Sequence, residues 1–449
     1  MKSLFIFRRD LRLNDNTGLI EALKNSDFVI PIFIFDDRQI KQNEYFSQKA
    51  FSFMINSLID LNNELRKINK RLYFFQGIAH QVIEKIIKTE KIEAVYLNRD
   101  YTPFSIQRDE SMKKICKENN VKFFSFSDAL LNEPFTLNKI YTIFTPFWKA
   151  YSQIKVKKPQ KNTYTNYYSN KIISEISFEK FIEQNKDKLV NINSKTKEEV
   201  IKDITKLQNY DLTRDFPEKE TSFLSSHLKF GTISVREAFY LVYEKLNPFH
   251  PLLRQLYWRD FFYHIAYHFP YVFGNPFNKK YQNIKWEFDE KKFNAWKNGL
   301  TGFPIIDAGM RQLNQTGYMH NRVRMIVASF LTKDLHIDWK IGEKYFAQKL
   351  IDYDPCINNG NWQWSASVGC DAQPYFRIFN PWLQQKKFDP NCIYIKKWVP
   401  ELKELKPEEI HNLEKIDPSL KGINYPKPII NHSIESKKAI AYYKNTIKN

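Results

Sequence analysis

Across the first 130 or so residues, short apolar runs alternate with amphipathic stretches, and this alternation restricts the fold more than any other feature of the chain. SLFIF (3 to 7), FVIPIFIF (28 to 35), RLYFFQG (71 to 77), AVYLNRD (94 to 100) and KFFSFSD (122 to 128) read as buried strands. Residues 47 to 68 and 105 to 119 carry helical patterning between them. Strands separated by helices pair in parallel through crossovers, so the pattern predicts a Rossmann-like, doubly wound α/β sheet. Glycine is nearly absent from this part, so no GxGxxG loop is available to cradle a nicotinamide dinucleotide.

The pattern then changes. Residues 155 to about 200 are rich in Lys, Asn, Ser and Thr, with little periodicity, and read as a partly mobile interdomain connection. From about 206 onward the periodicity is helical, with segments near 234 to 246, 251 to 269, 305 to 317, 319 to 333 and 341 to 351. The expected organisation is an α/β domain at 1–135, a linker at 136–205 and an all-α domain at 206–449. That helical half holds every tryptophan except Trp148.

A net charge of +19 and a pI near 9.4 make a polyanion the leading partner class, with nucleic acid ahead of an anionic membrane. The alternative is that the Lys excess of an Asn- and Ile-rich chain reflects coding bias. Cys116, Cys356, Cys370 and Cys392 show no CxxC spacing, which points to a reducing compartment without disulfide framework or metal site. The early run LFIF is cut by Arg8, Arg9 and Asp10, and no stretch approaches the ~20 apolar residues of a membrane helix. A cytoplasmic protein without membrane attachment is expected.

Four segments carry unusual chemistry. In PLLRQLYWRDFFYHIAYHF (251 to 269), Gln255, Trp258 and Arg259 fall at i, i+3 and i+4, either as a ligand-facing set or as a core indole beside an ion-paired guanidinium. In GYMHNRVRMIVASFLTKDL (317 to 335), Asn321 reads as a mid-helix asparagine sharing a face with Met325, and it is either exposed or placed for a ligand. TSFLS (221 to 225) precedes a helical run, where its hydroxyls either cap the helix or, with free N–H groups, cradle a pyrophosphate. In LIDYDPCINNGNWQW, Asp352 and Asp354 read best as ion-pair partners of Arg322 and Arg324, and Pro355 limits any helix there. NNGNWQW itself offers indoles and neutral amides but no titrating group, so it suits stacking rather than hydrolysis or metal binding.

FIFRRDLRLNDN, NRDYTPFSIQRD, TSFLSSHLKFGTIS, LYWRDFF, GYMHNRVRM, NNGNWQW and RIFNPWLQQKKFD occur in this order. Together, over roughly residues 1 to 405, they closely resemble the photolyase/cryptochrome flavoproteins, in particular the microbial cyclobutane pyrimidine dimer photolyases. The resemblance implies a helical domain holding FAD and a light-driven electron donation from reduced FAD to a dimer flipped out of UV-damaged DNA. It also implies a monomer, and an N-terminal domain with room for a second antenna chromophore: folate, deazaflavin or a second flavin. Nothing in NRDYTPFSIQRD or the DDRQ stretch (36 to 39) selects among these.

Carried over position by position, the resemblance assigns Tyr210, Thr221, Ser222, Phe223, Leu224, Ser225, Arg259, Arg324, Asp352, Tyr353 and Asp354 to the flavin. Asn358 would face N5 of its ring. Trp362, Trp339 and Trp286 would form the relay that passes electrons to the flavin from the surface. Arg214, Gln255, Trp258, Asn321, Met325, Trp364 and Gln384 would meet DNA, with Trp258 and Trp364 flanking the dimer. One departure is Gln255, where most dimer photolyases carry a glutamate and six-four photolyases a glutamine. Six-four enzymes also place histidines where this chain has Asn321 and Met325, so the residues suit dimers better than six-four lesions. The alternatives carried forward are a six-four photolyase and a cryptochrome-type photoreceptor without repair.

Overall fold

The computed structural model describes residues 1–416 and 422–448. Five parallel strands, β1 (Lys2–Phe7), β2 (Phe28–Phe35), β3 (Tyr73–Gln76), β4 (Ala94–Asn98) and β5 (Lys122–Phe126), form one sheet in the order β3-β2-β1-β4-β5. The expected α/β sheet is therefore present. Strands β1 to β4 read as continuous apolar runs because both faces are covered, whereas the edge strand β5 has no buried residue, which corrects its reading as a buried strand. Phe5, Phe7, Phe33, Phe35, Phe74 and Tyr96 pack on one face with Phe51, Leu58 and Leu61 of the Gln48–Arg66 helix. Leu4, Ile6, Ile30, Ile32, Phe75 and Val95 pack on the other with Ile83 and Ile86 of the Ala79–Glu90 helix and Met112 of Pro103–Glu118.

Pro31 lies inside β2, an internal strand, where a missing N–H normally removes a ladder bond. Val29 N–H bonds Asn166 O and Val29 O accepts from Tyr168 N–H, so residues 29, 31 and 33 aim their backbone groups toward the β3 side. Pairing with β3 begins only at Ile32↔Tyr73, so the proline falls in the gap between these partners.

The connection at 155 to 200 is seated on this sheet. Tyr167, Phe178 and Phe181 enter its core, Phe35 and Phe181 stack at 3.7 Å, and the capping-boxed helix Lys197–Asp203 follows. The polar composition describes its outer face, and the expectation of a partly mobile linker is corrected by these buried aromatic anchors.

The chain divides into two compact units, each discontinuous in sequence. One comprises Met1–Lys206, Ser222–Pro270 and Ile351–Tyr353; the other comprises Leu207–Thr221, Tyr271–Leu350 and Asp354–Asn449. The Pro251–His268 helix thus belongs with the sheet rather than with the later helices. A buried ionic network ties that unit together. Arg12 bonds Asp128 at 2.5 Å, and Arg236 bonds both Asp15 and Asp128 at 2.8–3.1 Å. Burial alone would raise the Asp128 carboxyl, but the two guanidiniums hold it down at about 2.

In the second unit, the helices Pro304–Thr316, Asn321–Ser329, Trp339–Lys349, Pro355–Ser365 and Pro381–Phe388 form the helical core. The C-terminal helix His432–Lys448 is fastened at its first turn, where His432 Nδ1 meets Asp334 at 2.5 Å and His336 Nε2 meets Glu435 at 2.8 Å. Among the described residues, no helix is long and apolar enough to cross a membrane.

Candidate functional site

In the sheet unit, Pro251 opens the 18-residue helix Pro251–His268 at a position where its missing N–H is harmless. Gln255, half-buried, has no side-chain hydrogen-bond partner among the described residues, so its amide is available to a ligand. Trp258, also half-buried, stacks face to face on Phe144, with centroids 3.6 Å apart and planes 7° apart. Arg259 is buried, donates to Ala129 O at 2.7 Å and lies 3.4 Å from Asp260. Of the two readings of this segment, the ion-paired guanidinium is therefore realised for Arg259, while Gln255 and Trp258 remain accessible.

TSFLS does not cap its helix through a hydroxyl. Phe223 occupies the cap of Leu224–Phe230 in the left-handed region, with φ +52° and no side-chain cap bond. Ser222 Oγ accepts a long 3.4 Å bond from Leu224 N–H, and Ser225 is exposed. Asp352 is buried beside half-buried Tyr353, which stacks on Tyr45 at 6.2 Å with Lys229 Nζ 5.9 Å from its ring.

In the helical unit, Thr221 Oγ1 shares a 2.5 Å hydrogen bond with Tyr318 OH, and the Arg324 guanidinium lies 5.6 Å from the same tyrosine ring while its Nε donates to Met319 O. Two residues assigned to the flavin are thereby brought together through a tyrosine that the sequence reading passed over. Tyr210 is half-buried, and burial pushes its phenol up to about 12. Arg214 is exposed one turn further on.

Three expectations are corrected here. Asn321 is the first residue of its helix rather than a mid-helix residue, because Gly317 in the left-handed region ends the preceding helix and His320 caps the next. Its exposed amide lies 3.7 Å from Met325 Sδ. Arg322 pairs with Asp215 at 2.7 Å and stacks on Phe388, not with Asp352 or Asp354. Pro355 starts a helix instead of limiting one: Asp354 caps Pro355–Ser365, its Oδ1 accepting from Cys356 and Ile357 N–H.

On this helix Asn358 makes one side-chain hydrogen bond, Nδ2 to Glu343 O at 3.0 Å. The bond leaves its Oδ1, an acceptor only, without a side-chain hydrogen-bond partner among the described residues. Four residues on, Trp362 is buried, edge-on to Phe346 at 4.9 Å and to Trp296 at 6.3 Å. Trp364 is half-buried and its ring packs on no other aromatic among the described residues. Gln384 buries an Oε1 without a partner.

The three relay candidates form a graded series. A Cβ on Gly342 would lie 2.2 Å from Trp362 Cη2, so the indole rests directly on the Trp339–Lys349 helix. Trp339 is three residues before that glycine and hence on the same face. Trp286 precedes Glu287, whose N–H bonds His336 O and which pairs with Ile337, two residues before Trp339. Trp362 and Trp339 are each 2% exposed, and Trp286 is half-buried against Tyr443 at 6.2 Å.

At the carboxyl ends of β1 and β4, where strand order reverses and ligands of such sheets bind, Arg8 bonds Asp109 at 2.5 Å and Arg108 lies 3.1 Å from the same carboxylate. Arg38 and Arg108 both approach the ring of Phe104, at 4.9 and 5.9 Å.

A parallel sheet unit with arginines at its switch point, and a helical unit presenting neutral amides and indoles, suit the binding of a planar cofactor and the stacking of bases. Residues 3–163 match the DNA photolyase family model and residues 252–445 match the FAD binding domain of DNA photolyase. The deoxyribodipyrimidine photo-lyase of Agrobacterium fabrum is 36% identical over 97% of this chain and 96% of its own. A crystal structure of an archaeal photolyase from Sulfolobus tokodaii with two FAD molecules is 46% identical, with TM-score 0.89, over 99% of this chain and 100% of that one. The Synechocystis cryptochrome structure is 27% identical at TM-score 0.89, covering 98% and 99% of the two chains. The chain belongs to the DNA photolyase family. The residues present are compatible with FAD: Asn358 keeps its amide oxygen free of partners among the described residues, an acceptor that a ring N–H could use.

Proposed function

We propose that this chain is a deoxyribodipyrimidine photolyase: it binds UV-damaged DNA and uses light to split cyclobutane pyrimidine dimers into the two pyrimidines. The observation that carries the reading is near-full-length similarity to relatives of that name. When bound, reduced FAD supplies the photoexcited electron that opens the dimer, and the protein supplies binding, orientation and electrostatics.

Tyr210, Thr221 to Ser225, Arg324, Asp352 to Asp354 and Asn358 hold the cofactor, with Asn358 accepting from its reduced ring. Arg259 contributes by anchoring the Gln255 helix, as its bond to Ala129 O supports. Trp362, Trp339 and Trp286 carry electrons inward from the surface. Trp258 and Trp364 flank the dimer, Gln255 and Asn321 hydrogen-bond its carbonyls, and Met325, Arg214 and Gln384 complete the DNA-facing set. Stacking on an aromatic ring is worth ~1–3 kcal/mol per base, comparable with the few kcal/mol needed to flip a base. The balance favours extraction of a lesion that already weakens pairing over an intact pair.

The photoreceptor and six-four readings are not favoured. The relatives carry the dimer-repair name, and Asn321 and Met325 replace the histidines on which six-four repair depends. The enzyme works as a monomer in the cytoplasm. Its antenna is a second flavin, supported by the two FAD molecules of the 46% identical relative. Purified protein loaded with FAD, chemically reduced and illuminated in the near ultraviolet or blue, is expected to remove dimers from DNA. Absence of light-dependent dimer loss with bound FAD confirmed would refute the function. Release of one FAD per chain, rather than two, would refute the flavin antenna.

A further inference from the structure

The segment just before the 155–200 connection, expected to be part of the 136–205 linker, supplies the nearest ring to Trp258. Phe144 opens the Phe144–Tyr151 helix and is 1% exposed. Its ring lies against Trp258 at 3.6 Å and 7°. The exposed part of the indole therefore faces away from Phe144. The indole is also edge-on to Phe261 at 5.7 Å, so its tilt is set from two sides.

The support behind Phe144 is rigid. Phe147 packs on Phe261 and His264, each at 5.3 Å, and Tyr151 donates to Pro134 O at 3.1 Å. His264 Nδ1 donates to the same carbonyl at 3.0 Å, while its Nε2 accepts from Tyr141 N–H at 3.0 Å. Outside, the exposed Arg254 lies one turn before Trp258, its guanidinium 5.2 Å from the Phe144 ring and 4.8 Å from Trp148. An indole that must present one face to a base loses rotamer freedom in doing so, and a fixed ring behind it removes that cost in advance.

We infer that Phe144 is a positioning residue for dimer recognition, acting as the back wall that holds Trp258 in its lesion-stacking orientation. The inference rests on the reading that Trp258 meets the dimer. An aromatic pair of this kind corresponds to a change in affinity of about threefold to tenfold.

The test is a double-mutant cycle in the full-length, FAD-loaded protein, with dimer-containing and undamaged oligonucleotides of one sequence as probes. Phe144→Leu is expected to raise the Kd for dimer DNA by about threefold to tenfold, with undamaged-DNA affinity and FAD content unchanged. KM for repair rises and kcat does not. Phe144→Tyr, which keeps the ring, restores the parent Kd. In a Trp258→Ala background, Phe144→Leu has no further effect. Equal loss in both backgrounds, or parental dimer affinity in Phe144→Leu, overturns the inference while leaving the photolyase reading intact. Parental dimer affinity in Trp258→Ala alone overturns the placement of Trp258 and the inference with it. Should Phe144→Leu fail to fold, Phe144→Met, whose flexible side chain fills the same space, replaces it in the cycle with the same outcomes.

Discussion

Gly342→Ala tests the packing on which the relay depends, because two effects of opposite sign compete at this one position. In an open helix, replacing glycine by alanine stabilises by about 1 kcal/mol, since glycine gives up more backbone freedom on folding. Here the added Cβ would sit 2.2 Å from Trp362 Cη2, 2.5 Å from Trp362 Cζ3 and 2.5 Å from Leu331 Cδ2. Ordinary contact needs more than 1 Å of relief at each. The obstacle is a rigid ring, wedged edge-on against Phe346 at 4.9 Å and Trp296 at 6.3 Å, with no flexible end to swing aside. Overpacking of this kind costs typically 1–3 kcal/mol, so after the helix gain the net loss should be roughly 0–2 kcal/mol. Urea unfolding of the FAD-loaded protein measures the stability. Photoreduction of oxidised enzyme with an external thiol, set beside repair by chemically reduced enzyme, locates the functional effect. If the proposed relay holds, photoreduction should slow while repair by the pre-reduced enzyme persists, because in that proposal only the former draws electrons through Trp362. A variant more stable than the parent would refute the close approach of indole and helix. A destabilised variant with unchanged photoreduction would refute the role of Trp362.

Three further outcomes follow from particular residues. Gln255→Glu should modestly raise dimer repair, since a protonated carboxyl can donate both a hydrogen bond and a proton to the electron-rich lesion, whereas an amide donates a hydrogen bond only; a large loss, measured as repair per photon absorbed, would show instead that the amide is required. Affinity for dimer DNA should fall as salt rises, with a log–log slope of about −0.9 per phosphate neutralised, and salt-independent binding would contradict a basic DNA face. His264 is held neutral by burial, which lowers its pKa to about 4, because protonation would set Nε2–H against Tyr141 N–H. Its folded pKa lies below the ordinary value of 6.5, so between pH 6.5 and 4 the unfolded chain binds the extra proton and stability falls on acidification, by on the order of 3 kcal/mol in all. His264→Gln should lose less stability than the parent over that window, and an equal slope would refute the assignment.

Periodicity alone marked all five strands and the main later helices, because whether a segment lies two-faced in a sheet or one-faced on a core is written in the spacing of its own apolar residues. The ordered motifs likewise contain Asn358 and Trp362 and adjoin Gln255, while Trp339 and Trp286 came only with the resemblance those motifs carry. Helix boundaries were less accessible. Asn321 and Pro355 begin helices because His320 and Asp354 cap them, and a cap is recognised only once the preceding chain has turned away.

The arrangements that matter most for the proposed chemistry join residues far apart in the chain. Phe144 backs a tryptophan at 258, Gly342 makes room for one at 362, and Tyr318 joins Thr221 to Arg324. Neighbours in sequence dictate the period of a segment, but which ring meets which depends on how separate segments pack. No local pattern encodes that distance.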